Sequence, residues 1–209
     1  MPQLKADGHM VEQAEGDADG IIANTALQLA RSGTSVTVSA NDTDVIAMLL
    51  YHWEDSMSQI LVRSELKQKG HIVYKQLDIG MASSLLKPEI KHLILFMHAF
   101  SGCNTTYSIY EKGKGSIVKL IEKSSDAQNI SRIFMNDAAS KEDIGEAGQQ
   151  IFVLLYGGKM GDDIASICYQ NHMKIVATAS TLNPSKLPPT KRAAFFHSLR
   201  VRLQVRIKF

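Results

Sequence analysis

Two Asp-x-Asp pairs stand near the start of the chain: Asp17 and Asp19 in DADG, and Asp42 and Asp44 in NDTDV. Carboxylates raise each other's pKa at short range, so four of them crowd together ionised only around a cation. Mg²⁺ and Mn²⁺ prefer such hard oxygen donors. Two such ions about 4 Å apart form an arrangement that cleaves phosphodiesters, one activating water and the other stabilising the leaving oxygen. The plainer alternative is that each pair caps a helix. A cap needs one side chain and each site offers two, so the metal reading outweighs the capping one.

The elements around the pairs are those that would bring them together. ADGIIANTALQLAR (18–31) has apolar residues at Ile21, Ile22, Ala26, Leu29 and Ala30, a helical spacing with Gly33 just past its end. SVTVSA (35–40) is a β-branched run and reads as a strand; VIAMLLYHW (45–53) reads as a second helix. A helix followed by a returning strand doubles back, so all four carboxylates are expected at the carboxyl end of the strand, where ligands of open α/β sheets gather.

Further on, SQILVRS (58–64) and HIVYKQL (71–77) are strand candidates with a hairpin turn in ELKQKG. Helices are expected over 78–86, 89–102, 116–124, 142–158 and 162–173. A proline-rich joint, LNPSKLPPT, leads into a final basic amphipathic helix, KRAAFFHSLRVRLQVRIKF. Strands alternate with helices early and helices dominate late, the pattern of an α/β core with a helical extension.

The 209 residues are 44% hydrophobic, enough for one well-buried core. A net charge of +2 argues neither for nor against nucleic acid, although the last twenty residues are basic. Two cysteines, Cys103 and Cys168, fit a reducing compartment. The start has no apolar signal segment, and HLILFMHAF is too short to span a bilayer. The expected location is intracellular, with the nucleus suspected and no membrane partner.

These residues resemble a known family. DADGIIANTALQLARSGTSVTVSANDTDVIAMLL is similar to the segment of the structure-specific 5′ nucleases, the flap-endonuclease group of the PIN-like fold, in which an E-A-E or E-A-D motif opens a helix before a strand and a D-x-D. LILFMHAFSGCNTTYSIYEKGKGSIVKLIEK resembles their next block: an apolar helix, G-C-D or G-S-D, and a glycine-rich helix–turn–helix that grips DNA. Closer still is a group of uncharacterised animal proteins, many transposon-associated, with E-A-D-T, D-T-D-V, H-A-x-x-G-C-D-T-T and a late L-L-Y-G-G and L-P-P-T. Here the late motifs are LLYGG (154–158) and LPPT (187–190), and the resemblance spans roughly residues 12–205.

The resemblance implies a PIN-like, Rossmann-like parallel sheet in a nuclease core over 12–125, with a helical extension over 126–209. It implies Mg²⁺ or Mn²⁺ on Asp17, Asp19, Asp42 and Asp44, with Asn104 standing in the Asp position of G-C-D. It places Lys112, Gly113, Lys114 and Gly115 in the DNA-gripping turn, with DNA favoured over RNA. Such turns offer backbone N–H groups to a phosphate, and lysines add attraction independent of sequence. The plain reading of EKGKGS is a solvated loop before a helix.

Three departures stand against full activity. Asn104 brings no charge, so a second ion would bind more weakly. The chain begins too late for the family's first, central strand and its catalytic Asp, so the expected sheet lacks that strand and exposes an edge. Asp17 is one methylene shorter than the family's Glu. The expected function is a metal-dependent nuclease, degenerate or intact. The alternative is a non-catalytic remnant binding nucleic acid or a protein partner, a fragment completed by another segment. A phosphatase with an aspartate nucleophile in NDTD ranks third, because no well-placed Lys and acidic pair follow.

Other residues have milder readings. His98 is a packed core histidine, and His52 and Trp53 cover the core. Tyr107 and Tyr110 either stack on a base or pack under the glycine-rich turn, packing being favoured. The terminal basic segment suits a phosphate contact and a solvated face equally, as an edge strand or a surface helix.

Overall fold

The computed structural model describes residues 2–68, 71–103, 106–178, 181 and 183–208. The chain divides into two compact units, 1–84 and 85–209. Residues 85–125, expected with the sheet, fold instead with the helices that follow them.

The first unit is α/β. After a short helix α1 (Pro2–Ala6), its order is α2 (Asp19–Arg31), β1 (Val36–Ser39), α3 (Thr43–His52), β2 (Ile60–Gln68), β3 (His71–Asp78) and α4 (Ile79–Ser84). The sheet is three-stranded in the order β1-β2-β3. β1 and β2 are parallel, Val36 facing Ile60 and Ser39 facing Arg63, whereas β2 and β3 are antiparallel. The sheet is therefore mixed, not parallel as expected. Glu65–Gln68, read as part of a turn, instead extend β2; Lys69 and Gly70 lie outside the described residues.

The buried side of α2 is Ala23, Ala26, Leu27 and Ala30. Ile22 and Leu29 are exposed, so α2 packs through three alanines and Leu27. α2 ends in a Schellman turn: the Thr34 N–H donates to Leu29 O at 3.0 Å, the Gly33 N–H to Ala30 O at 3.2 Å, and Gly33 takes the left-handed φ of 91°. α4 packs on α3 and β2. Trp53 is buried, and a Cβ at Gly80 would lie 2.9 Å from its ring.

The second unit is helical: α5 (Pro88–His92), α6 (Ile94–Ser101), α7 (Lys114–Lys123), α8 (Ser125–Ile133), α9 (Lys141–Leu155), α10 (Ile164–Thr178), a 3₁₀ turn (Pro184–Lys186) and α11 (Lys191–Lys208). The helix expected over 89–102 is two helices that meet at Leu93. Residues Leu95–Ser101 are all buried, so α6, which carries most of HLILFMHAF, is the unit's central helix. His98 is buried there, as expected. Among the described residues no helix is long and apolar enough to cross a membrane.

Four phenylalanines form the middle of the core. Phe96 meets Phe134 at 4.8 Å and Phe100 meets Phe152 at 4.9 Å, with the His197 ring 5.0 Å from Phe100. The basic terminal segment is a packed helix, not an edge strand: α11 buries His197, Ser198, Val201, Gln204 and Val205 against α9 and α6. Arg202 donates to Phe134 O, to Asn136 O at 2.8 Å and to Asp137 Oδ1 at 3.1 Å; Arg206 also reaches Asp137 Oδ1, at 2.9 Å. Arg206 beside Asp137 holds that carboxyl below its usual value. These two arginines thus tie α11 to the α8–α9 connection.

A stability difference between the two arginines follows. Arg202 is nearly buried, and Arg202→Met strands the Phe134 carbonyl while Asn136 O keeps the Ala139 N–H, so it should cost about 2 kcal/mol in urea denaturation. Arg206→Met, at an exposed ion pair, should cost less than about 1 kcal/mol. Equal costs would mean that the carbonyl contacts contribute nothing.

His197 gives a pH dependence. Burial pushes its imidazole below the ordinary value, Arg200 acts in the same direction, and the Phe100 carbonyl opposes them. The unfolded chain therefore binds a proton that the folded chain refuses once pH falls below about 6.5. Stability is full above that pH and is lost as pH drops toward the folded value. The urea midpoint should fall between pH 7.5 and 5.5, and by less in His197→Gln; identical shifts would assign the effect to another group.

Candidate metal centre

The return from α2 to α3 builds the site. α2 has thirteen residues, a length of about 20 Å. After the Gly33 turn the extended segment 34–42 rises about 3.3 Å per residue, enough to bring Asp42 back to the start of α2. Three hydrogen bonds then fasten the end of β1 to β2. The Ala40 N–H donates to Arg63 O at 3.1 Å, Ser64 Oγ to Ala40 O at 2.9 Å, and the Glu65 N–H to Asn41 Oδ1 at 2.8 Å. Asn41 and Ser64 were not singled out in the sequence. The only signal was an Asn placed directly before the D-x-D.

This geometry gathers Asp19, Asp42 and Asp44. One carboxylate oxygen from each lies within 4.8 Å of the others. Asp19 is half-buried and Asp44 is 3% exposed. The cluster lies at the carboxyl end of β1, as expected. Three acidic oxygens at this range could hold a hard cation.

Asp17 is not part of the group. Its Oδ1 instead accepts from the Asp19 N–H at 3.2 Å, an Asx turn that leads the chain into α2. Capping also engages Asp42, whose Oδ1 accepts from the Asp44 N–H at 2.9 Å and which is the N-cap of α3. Asp17 therefore shapes the entry to α2 without being its N-cap, and at Asp42 capping operates together with the cluster. Asn104 lies outside the described residues.

The remaining motifs belong to the second unit, and much of their pattern has a local cause. In HAFSGC, Gly102 has φ 111°, and a Cβ there would lie 2.7 Å from the Ser108 backbone. Thr106 Oγ1 donates to Ala99 O at 2.7 Å and accepts from the Cys103 N–H at 2.9 Å, closing the turn onto α6. In LLYGG, Gly157 takes φ 85° to end α9, and a Cβ at Gly158 would lie 2.7 Å from Ile167. In LPPT, Thr190 Oγ1 accepts from the Ala193 N–H at 3.2 Å and caps α11.

The EKGKG turn is different. Gly113 is the N-cap of α7, and Lys114 and Gly115 lie in its first turn. Neither glycine has a positive φ, and a Cβ on either would meet open space. Nothing inside the described chain requires glycine there. Lys112 lies with its Nζ 5.4 Å from the centre of the Tyr156 ring.

Comparison with known proteins adds no relative: no family model, no curated protein and no solved structure matches the chain.

Proposed function

We propose that this protein is a divalent-metal-dependent phosphodiesterase, a nuclease of the PIN-like 5′-nuclease kind acting on DNA in preference to RNA. The observation that carries the reading is the convergence of Asp19, Asp42 and Asp44 at the carboxyl end of β1, where a helix and a strand bring Asp19 back to the Asp42–Asp44 pair, all within 4.8 Å. Three carboxylates and no sulfur or imidazole are the donor chemistry of Mg²⁺ or Mn²⁺. Held by Asp19, Asp42 and Asp44, such an ion would supply Lewis-acid polarisation of a phosphodiester and a lowered pKa for the attacking water.

The chain's own residues hold and aim that centre. Asp42 is locked by its cap bond to Asp44. Asn41 and Ser64 keep the turn that carries Asp42 on the edge of β2. The glycines of the EKGKG turn would let a phosphate backbone come close to the first turn of α7.

Incubating the purified chain with single-stranded and 5′-flap DNA in Mn²⁺ should give cleavage that EDTA stops, and calorimetry should register Mn²⁺ binding. A second reading, a non-catalytic nucleic-acid-binding protein, is favoured by Asp17, whose engagement in a turn leaves three carboxylates rather than four. DNA binding without cleavage, together with no Mn²⁺ uptake, would select it.

A further inference from the structure

The second unit contains a cavity of about 390 Å³ that the phosphodiesterase reading does not use. Its walls are the loop bearing Tyr107 and Tyr110, Tyr156 at the end of α9, and Phe196, His197 and Arg200 on α11. Tyr107, Tyr110 and Phe196 are 75%, 46% and 44% exposed, so three large rings meet water around one opening. Aromatic surface left in water at a concave site marks a binding surface.

The charge at this opening has one sign. Arg200 lies 5.4 Å from the Tyr107 ring centre, Arg192 lies 5.7 Å from Phe196, and Lys112 lies 5.4 Å from Tyr156. Among the described residues no acidic side chain lines the cavity. Nearby Glu111 is paired with Lys186 at 3.4 Å. Among the described residues, none of Lys112, Arg192 and Arg200 pairs with a carboxylate.

His197 adds a polar feature to the lining. It is 6% exposed, and its Nε2 lies 3.0 Å from the Phe100 carbonyl. A carbonyl only accepts, so Nε2 carries the hydrogen and Nδ1 is left as an acceptor. Among the described residues Nδ1 makes no hydrogen bond.

We propose that this cavity receives one unstacked base of a single-stranded polynucleotide, its ring against Tyr107 and Phe196 and its neighbouring phosphates on Arg192 and Arg200. Aromatic rings accept any base by stacking, and cations beside them track the backbone. Arg192 and Arg200 are eight positions apart on α11, about 12 Å along the axis, a span that suits two phosphates of a strand better than the one phosphate of a free nucleotide. The choice of a polynucleotide rests on the nuclease reading, but the cavity belongs to the second unit and its binding needs no metal.

The test is fluorescence anisotropy of a short labelled oligothymidylate with the full chain in EDTA, where nothing can be cleaved. Tyr107→Ala and Phe196→Ala should each weaken binding about tenfold. Arg200→Gln should weaken it and flatten its salt dependence. These side chains are exposed or at the rim, and unchanged thermal melts would show that the variants fold. Parent-like affinity in both ring variants, no binding by the parent, or displacement by thymidine monophosphate at equal nucleotide concentration would each overturn the proposal. Cleavage in Mn²⁺ is scored separately. Ring-dependent binding with no cleavage sinks only the nuclease reading, whereas cleavage with ring-independent binding sinks only this one.

Discussion

Replacing Asp44 with asparagine should lower Mn²⁺-dependent cleavage about a thousandfold, a loss of about 4 kcal/mol of transition-state stabilisation, while leaving the metal-free protein at least as stable as its parent. The two effects have opposite signs for one reason. Asp44 is buried, and its carboxylate stands within 4.8 Å of those of Asp19 and Asp42. Two like charges at that range repel by between about 1 kcal/mol in bulk water and about 3.5 kcal/mol at an effective dielectric of about 20. Asparagine keeps the shape, removes that repulsion and removes a charged ligand. The cleanest readout is thermal. An ion that binds only the folded state stabilises it by about 2.7 kcal/mol at a hundred times its Kd. Mn²⁺ should therefore raise the melting temperature of the parent and barely move that of Asp44→Asn. Equal Mn²⁺ shifts in the two proteins would remove Asp44 from the ligand set, whatever the cleavage assay gave.

Gly148→Val should destabilise the chain by about 3 kcal/mol or more. Gly145 and Gly148 lie on the buried side of α9, where α11 crosses. A Cβ on Gly148 would fall 1.7 Å from Ser198 Oγ and 2.7 Å from Ser198 Cβ, and one on Gly145 would fall 2.1 Å from the Phe195 ring. Ser198 cannot simply turn aside, because it is fully buried and its Oγ donates to Ala194 O at 2.7 Å. Alanine in place of a helical glycine gains about 1 kcal/mol of intrinsic propensity, too little to offset an overlap that forces the helices apart. Combining Gly148→Ala with Ser198→Gly, which removes the opposing side chain, should recover part of the loss. A Gly148→Val melting temperature equal to the parent's would show that the crossing is looser than these distances.

What was readable in advance follows physical range. Helix α2, strand β1 and helix α3 were legible because their signals are local: apolar spacing, a β-branched run, and glycine or aspartate at each boundary. The buried character of HLILFMHAF was legible in the same way, from composition alone. The Leu93 break was not, because no proline or glycine marks it. α8 was not recognised, since SDAQNISRI carries little apolar signal and Ala127 and Ile130 supply most of its buried side. The fate of the terminal arginines was hidden as well, because Asp137 and the Phe134 carbonyl that receive them lie more than sixty residues earlier.

The sequence by itself determined that this is an α/β chain followed by helices, with aspartates placed where a returning strand would gather them. Only the tertiary structure decided which aspartates gather. Asp17 and Asp19 are two positions apart and indistinguishable by spacing, yet one turns inward to a backbone N–H and the other joins Asp42 and Asp44. Side-chain direction at a helix start depends on the turn that enters it. The position of Asp42 depends on bonds from Asn41 and Ala40 to β2, a strand that begins after an intervening helix. The aromatic cavity on α11 is the extreme case. Tyr107, Tyr156 and Phe196 share no sequence pattern, and they meet because the loop after α6, the end of α9 and α11 come together around one cavity.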